Sequence, residues 1–262
     1  MNISASGVPR IGCVPYLNAR PLLEGLEEGG KPPVRKLVPA KLQEAYQAGE
    51  LDVALLSSID VISLENPQVV DGVSISSSGD VHSVVLAYSG DLQGVKKVAL
   101  DPASHTSNAL LRIVLEEFHG IKPEYVHYGS DENPEDVRLI IGDPAISFRK
   151  KTRGTGVRFL DLGGEWFRKT GLPFVFAAWV FRSDFTKKKE LSEVLRFAKS
   201  RGLARRSAIA ALETDPDFAL HYLTESIRYD LGVEEKRGLL LFHDFLKKIN
   251  ISSFLELKAD YL

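Results

Sequence analysis

The sequence predicts an α/β fold with a largely parallel sheet, and three observations predict it. Short apolar runs alternate with helical patterns through the first two-thirds of the 262-residue chain. The run Leu51–Leu56 is continuously apolar after Asp52, as in a strand buried on both faces. From Lys187 onward the pattern changes to helical spacing alone. At ~150 residues per domain the length fits one large domain or two modest ones, and either buries a substantial core.

Val8–Val14 reads as the first strand and Ala19–Glu28 as a helix with Pro21 in its first turn, where a missing N–H is tolerated. Val34–Val38 alternates as a strand. Pro39 then opens a helix whose Leu42, Ala45 and Tyr46 share a face, and Gly49 closes it. With Leu51–Leu56 this completes a β-α-β-α-β order. Strands follow at Val69–Ile75 and Val81–Tyr88, and Ser89-Gly90-Asp91 is a turn. A second rhythm runs through strand Lys97–Leu100, helix Ser107–Phe118, and strands Glu124–Tyr128, Val137–Ile141 and Val157–Leu160. The Asn-Pro and acidic residues of Ser130–Asp136 suggest a flexible loop. Phe174–Phe181, aromatic and β-branched, reads as a central strand. Leu191, Val194, Leu195 and Ala198 are spaced for a helix, continued at Ile209–Leu212. Asp215-Pro216 caps the next, with the stripe Phe218 to Ile227, and Leu239–Ile249 forms the last. The chain has no internal repeat and no low-complexity segment. Two hinge crossings, at residues 89–91 and near residue 180, divide it into a large lobe of residues 1–88 and 181–262 and a small lobe of residues 89–180. A ligand cleft is expected between them, beyond the carboxyl ends of strands.

Composition excludes several classes. Lys+Arg 33 against Asp+Glu 35 leaves a net charge of −2, without the electrostatic footprint of a nucleic-acid binder. A single cysteine, Cys13, forms no intrachain disulfide and supports no Cys-based zinc or iron–sulfur site. Met1–Arg10 lacks a basic region followed by an apolar one, and no apolar run reaches the ~18 residues of a membrane span. The expectation is a cytoplasmic protein with no membrane partner. Walker A, G-x-G-x-x-G, H-E-x-x-H and kinase signatures are absent, so nucleotide and metal chemistry find no support.

Four segments carry candidate chemistry. Cys13–Leu22 joins the first strand to the first helix, where free N–H groups and the helix dipole point outward. Asn18 there offers a donor and an acceptor, or it caps the helix. Cys13 fits a small buried hydrophobe, and Arg20 fits a carboxylate grip or the surface. Asp101–Asn108 clusters hydroxyls at a helix start, suiting an anion, while Ser104 and Ser107 also satisfy half of a capping box. His105 is a general-base candidate or a solvated loop residue. Ser83 interrupts the apolar strand Val81–Leu86, so its hydroxyl needs a partner or faces the cleft; no Gly-x-Ser-x-Gly elbow surrounds it. Asp143 ends a strand and binds ligand hydroxyls or caps the helix after it. Trp166, Trp179 and Thr170–Phe174 fit core as well as a ligand platform, and Lys187–Lys189 with Arg205-Arg206 read as solvated helix faces.

Taken in order, these segments resemble one family, the chorismate dehydratases of the futalosine route to menaquinone. The resemblance runs from Arg10 to about Phe245. It is carried by Arg10-Ile11-Gly12, Tyr16-Leu17-Asn18, Pro21-Leu22, Gly49–Leu55, Ser83-Val84, the segment of Ser104, Thr106 and Ser107, Gly142-Asp143 and Thr170–Ala177. It implies a two-lobed fold like the type II periplasmic solute-binding proteins, with mixed sheets and a helical C-terminal segment. It also implies loss of water from chorismate to give 3-(1-carboxyvinyloxy)benzoate without a cofactor, in a monomer or homodimer. Asn18 and Ser83 match the family's polar active-site residues, and Ser104, Thr106 and Ser107 its carboxylate-binding segment. Tyr16, His105 and Asp143 are further candidate substrate contacts, and His105 stands where the family leads one to expect arginine. A sister family that forms dihydroxynaphthoate shares the fold, but its Ser-Pro-Cys-Pro-Asn-Asp-type opening is absent here. A non-catalytic protein that binds a small carboxylate is the alternative from another class. No strong base sits beside Asn18 or Ser83, so the substrate's own enolpyruvyl carboxylate is the expected proton acceptor, with His82, His105 and Asp143 as protein rivals.

Overall fold

A computed structural model describes residues 8–26, 34–127, 137–250 and 259–262. The segment Ser130–Asp136 lies outside the described residues, as do Glu27 and Glu28 of the first expected helix. Among the described residues the strands form one sheet of six and one of five.

Strand β1 (Ile11–Cys13) is the axis of the first sheet's parallel part, with β2 (Arg35–Lys36) on one side and β3 (Val53–Ser57) on the other. The two chain segments linking them fold as a 3-10 helix, Leu17–Leu23, and as α1 (Pro39–Gln47). The expected α-helix at Ala19 is thus a tighter 3-10 piece. Pro21 lies inside it, and a ring without an N–H cannot sustain the α-helical ladder. After β3 comes α2 (Ser58–Ile62), which the periodicity does not announce, and then the long strand β4 (Gln68–Ser77).

The chain next enters the second sheet. Strand β5 (Val84–Tyr88) starts later than the sequence suggests. His82 has φ 62°, and the N–H groups of Val81 and His82 donate to the Asp161 carboxylate at 2.9 and 2.7 Å, so residues 81–83 turn instead of extending. Parallel β6 (Lys97–Leu100), β7 (Glu124–His127) and β8 (Arg138–Ile141) follow, with α3 (His105–Ile113) after β6. Helix α3 widens into a π-turn at Val114–Phe118. Helix α4 (Gly142–Lys151), strand β9 (Arg158–Asp161) and helix α5 (Leu162–Thr170) complete this unit, in which β5 pairs antiparallel with β8 and β9.

Strand β10 (Phe174–Phe181) returns to the first sheet and inserts antiparallel between β3 and β4. Passage between the sheets therefore occurs at residues 78–83 and 171–173, not at the expected 89–91 and 180. Ser89-Gly90-Asp91 is a turn within the second unit, where Gly90 takes φ 74°. The C-terminal part is helical as expected: α6 (Lys188–Ala204), α7 (Arg206–Ala210), α8 (Pro216–His221) continued by a π-turn Tyr222–Ser226, and α9 (Val233–Lys248). A short β11 (Asp260–Tyr261) pairs with β4.

Trp166 is fully buried and edge-packed by Phe174, Phe242 and Phe245, with ring centroids 5.3 to 6.1 Å away, so this aromatic group is core. Trp179 is equally buried, and Cys13 is a buried hydrophobe. Lys187, Lys188 and Lys189 lie at the start of α6 and Arg205-Arg206 at its end. Among the described residues no helix is long and apolar enough to cross a membrane.

Helix α6 packs against the 3-10 helix through Gly202, where an added Cβ would lie 1.8 Å from the Pro21 carbonyl oxygen. Because that neighbour is backbone, Gly202→Ala is expected to cost about 1–3 kcal/mol and lower the melting temperature by several degrees. Gly94→Ala, which meets open space, is expected to leave it within about a degree. Thermal melts of both variants check this, and equal melting overturns the packing argument.

Candidate active site

A small cavity of about 60 Å³ lies between the two sheets at the ends of β1, β3 and β8. Its wall is mostly apolar and, among the described residues, carries no charge: Tyr16, Asn18, Ser57, Ser83, Ser104, Thr106 and Ser107 stand among Val14, Leu55, Ile75, Val81, Ile141 and Phe176.

Each polar group has a local reason for its position. Asn18 sits in the 3-10 helix that follows β1, and no side chain caps that helix, so the capping role open to Asn18 is not realised. Its Oδ1 is buried and has no hydrogen-bond partner, and its side chain lies near the Tyr222 hydroxyl. Ser83 precedes β5 and is 1% exposed; its Oγ accepts from the Tyr222 hydroxyl at 2.7 Å. It is a side-chain-bonded serine facing the cavity, not one satisfied by backbone. Burial raises the Tyr222 phenol well above its ordinary value and pushes Tyr16 up to about 12, so both remain neutral donors at physiological pH. The Tyr16 ring lies against Gly142, where an added Cβ would approach it to 2.8 Å.

At the start of α3, Ser104 caps the helix: its Oγ accepts from the Ser107 N–H at 3.1 Å and donates to the Ser107 hydroxyl at 2.9 Å. The Ser107 hydroxyl proton remains available. Thr106 reaches the first sheet, donating to Ser57 Oγ at 3.0 Å and accepting from the Ile59 N–H at 2.9 Å. Ser57 in turn donates to the buried Asp60 carboxylate at 2.5 Å.

The sequence candidates divide accordingly. Tyr16, Asn18, Ser83, Ser104, Thr106 and Ser107 converge on one cavity. His105 and Asp143 are not among its lining residues. The His105 side chain is 53% exposed and pairs with Asp60 at 3.8 Å. Asp143 neither caps α4 nor faces the cavity; its carboxylate accepts the Leu17 N–H at 3.1 Å, tying the second sheet's unit to the first. Burial raises the Asp143 carboxyl above its ordinary value. Arg20 pairs with Glu213. Near Ser83, His82 packs against Phe218, with centroids 6.2 Å apart, and burial lowers its pKa.

Two wall residues, Ser57 and Phe176, and Tyr222 behind the wall escape a sequence reading. Ser57 follows an apolar strand with nothing to mark it. Tyr222 belongs to an apolar helical stripe. Phe176 lies in β10, where the pairing with β4 shifts register between Val175 and Ala177, so consecutive residues Phe176 and Ala177 both line the cavity. Only that bulge was in principle detectable, and it has no sequence mark. Among the described residues no group of three or more His, Cys, Asp or Glu side chains is placed to hold a metal ion.

The chain is similar to known proteins along nearly all its length. The profile of a family described as menaquinone biosynthesis matches residues 9–248. A chorismate dehydratase from Thermus thermophilus is 34% identical, with 92% of this chain and 94% of that protein covered. A second, from Campylobacter jejuni, is 26% identical, covering 90% and 93%. Among solved structures, protein AF1704 from Archaeoglobus fulgidus superposes with a TM-score of 0.69 at 17% identity, covering 95% and 100%. A Candida albicans protein described as having the generic periplasmic binding protein fold superposes at 0.62 with 11% identity, covering 95% and 92%. These likenesses show the two-lobed binding-protein fold.

Pairing with Asp60 raises the His105 pKa, the largest cause, against an opposing effect of burial. The stabilisation from that pair is therefore fully present below the ordinary histidine value of about 6.5 and is lost as pH rises through the folded value. His105→Gln is expected to melt below the wild type at about pH 5.5 and to converge with it at about pH 8.5. Melts at the two pH values check this; a gap that grows toward alkaline pH overturns it.

Proposed function

Because the chain belongs to the menaquinone-biosynthesis family, we propose that it is a carbon–oxygen lyase that dehydrates chorismate to 3-(1-carboxyvinyloxy)benzoate. The observation that carries this reading is full-length likeness to chorismate dehydratases, with Asn18, Ser83, Ser104, Thr106 and Ser107 all facing one cavity.

The chemistry follows from the substrate and the wall. The C–H bond on the ether-bearing ring carbon breaks, its electron pair becomes the new ring double bond, and the C–O bond to the neighbouring hydroxyl breaks. The hydroxide takes up a proton to leave as water. The product is aromatic, so the reaction is strongly downhill, and the wall's work is positioning. Chorismate carries two carboxylates. The Ser107 hydroxyl and the N-terminus of α3 suit one of them, because N–H and O–H donors stabilise an anion without burying a counter-charge. Asn18 Oδ1, a buried acceptor without a partner, suits the substrate hydroxyl, and the Ser83 hydroxyl supplies a donor beside it. Among the described residues no carboxylate or imidazole lines the cavity, which supports the substrate's enolpyruvyl carboxylate as the base that takes the ring proton.

In this reading each sheet with its helices acts as a lobe, divided at the passages near residues 78–83 and 171–173. Asp143 holds the lobes closed through Leu17 and shapes the site without touching substrate. His105 acts from outside through Asp60.

Incubation with chorismate, followed by mass spectrometry and ultraviolet absorbance, tests the proposal. An aromatic product lighter by one water is expected. Asn18→Ala and Ser83→Ala are each expected to lose about a hundredfold in kcat, the scale of a misplaced reacting geometry. Chorismate that decays no faster than without protein overturns the assignment. Full turnover by Asn18→Ala overturns the positioning role.

A further inference from the structure

We propose that Tyr222 is a positioning residue of this site, holding Ser83 as a donor toward the cavity; the role rests on the reading of Ser83 given above. A hydroxyl has one proton to give and two lone pairs to offer. The Tyr222 hydroxyl gives its proton to Ser83 Oγ at 2.7 Å. That choice has a consequence inside the cavity. With a lone pair of Ser83 committed to Tyr222, the Ser83 proton is left to point elsewhere, and among the described residues it has no other side-chain partner. The phenol therefore sets the polarity of a serine that lies 139 residues away in the sequence.

The surroundings fit a residue that must not move or ionise. Tyr222 is 1% exposed, its ring stacks on Phe218 at a centroid distance of 6.0 Å and an interplanar angle of 13°, and burial keeps the phenol protonated. It stands where α8 widens into the π-turn Tyr222–Ser226, a distortion of the helical ladder that proteins use mostly near functional sites. Tyr222 is absent from the cavity lining, so it acts through Ser83 and not on the substrate.

The test is the kinetics of Tyr222→Phe, which keeps the ring and its stack on Phe218 and removes a single oxygen. Its kcat on chorismate is expected to fall by about tenfold, the scale of one hydrogen bond lost in the transition state, with KM changed by less than about threefold. Ser83→Ala provides the second variant. If Tyr222 works through Ser83, the losses of Tyr222→Phe and Ser83→Ala overlap, and the double variant is less impaired than their product. A kcat equal to that of the wild type, or losses that multiply, overturns the role of Tyr222. Wild-type protein that leaves chorismate untouched overturns the dehydratase reading and this role together, so the two failures are told apart.

Discussion

The antiparallel insertion of β10 between β3 and β4 is the constraint on which the rest of the molecule depends. Phe174–Phe181 pairs along both edges, joining a parallel β-α-β unit to a strand that would otherwise have no partner in it. One face of this strand receives α9 and α2, and Phe174 carries the aromatic packing onto Trp166 and Phe242. The same strand is the chain's second passage between the sheets. Its bulge at Phe176 turns an extra side chain into the cavity, so the element that closes the first sheet also shapes the site.

Among the described residues the cavity wall carries no charged side chain. Its polar groups are hydroxyls and an amide, and the nearest carboxylates are committed elsewhere: Asp60 to Ser57, Asp143 to the Leu17 N–H, and Asp161 to the N–H groups of Val81, His82 and Gly164. An ammonium or guanidinium in so enclosed a space would itself need a partner, at a desolvation cost that neutral donors avoid. Which hydroxyl donates and which accepts is set one layer further out, by Asp60 on one side and Tyr222 on the other.

Contacts between the two sheets' units converge on the same place. Leu17 with Asp143, Ser57 and Ile59 with Thr106, and Tyr222 with Ser83 each cross the cleft next to the cavity, and Lys150 meets Asp215 at 2.6 Å on the outside.

Much of this was legible in the amino-acid order. Alternating apolar runs and helical stripes located most strands and the helical C-terminal part, because periodicity reports which face is buried. The polar residues at the ends of β1 and at the start of α3 stood out because α/β folds leave free N–H groups there. Their convergence with Ser83 on a single wall rested on family resemblance. Four things were decided only by tertiary structure. The passages between sheets depend on which strands pair, and pairing is a long-range choice that Val84–Tyr88 and Phe174–Phe181 do not announce. Asp143 and His105 bond to neighbouring chain segments and do not line the cavity, a placement that spacing alone does not distinguish from facing a ligand. Phe176 enters the wall through a register shift that leaves no compositional trace. Tyr222 sits in an apolar stripe as any core tyrosine does, and its hydroxyl gains meaning only because folding brings Asn18 and Ser83 to it. Sequence periodicity fixes which face of an element is buried; which groups meet there is settled by packing across the cleft.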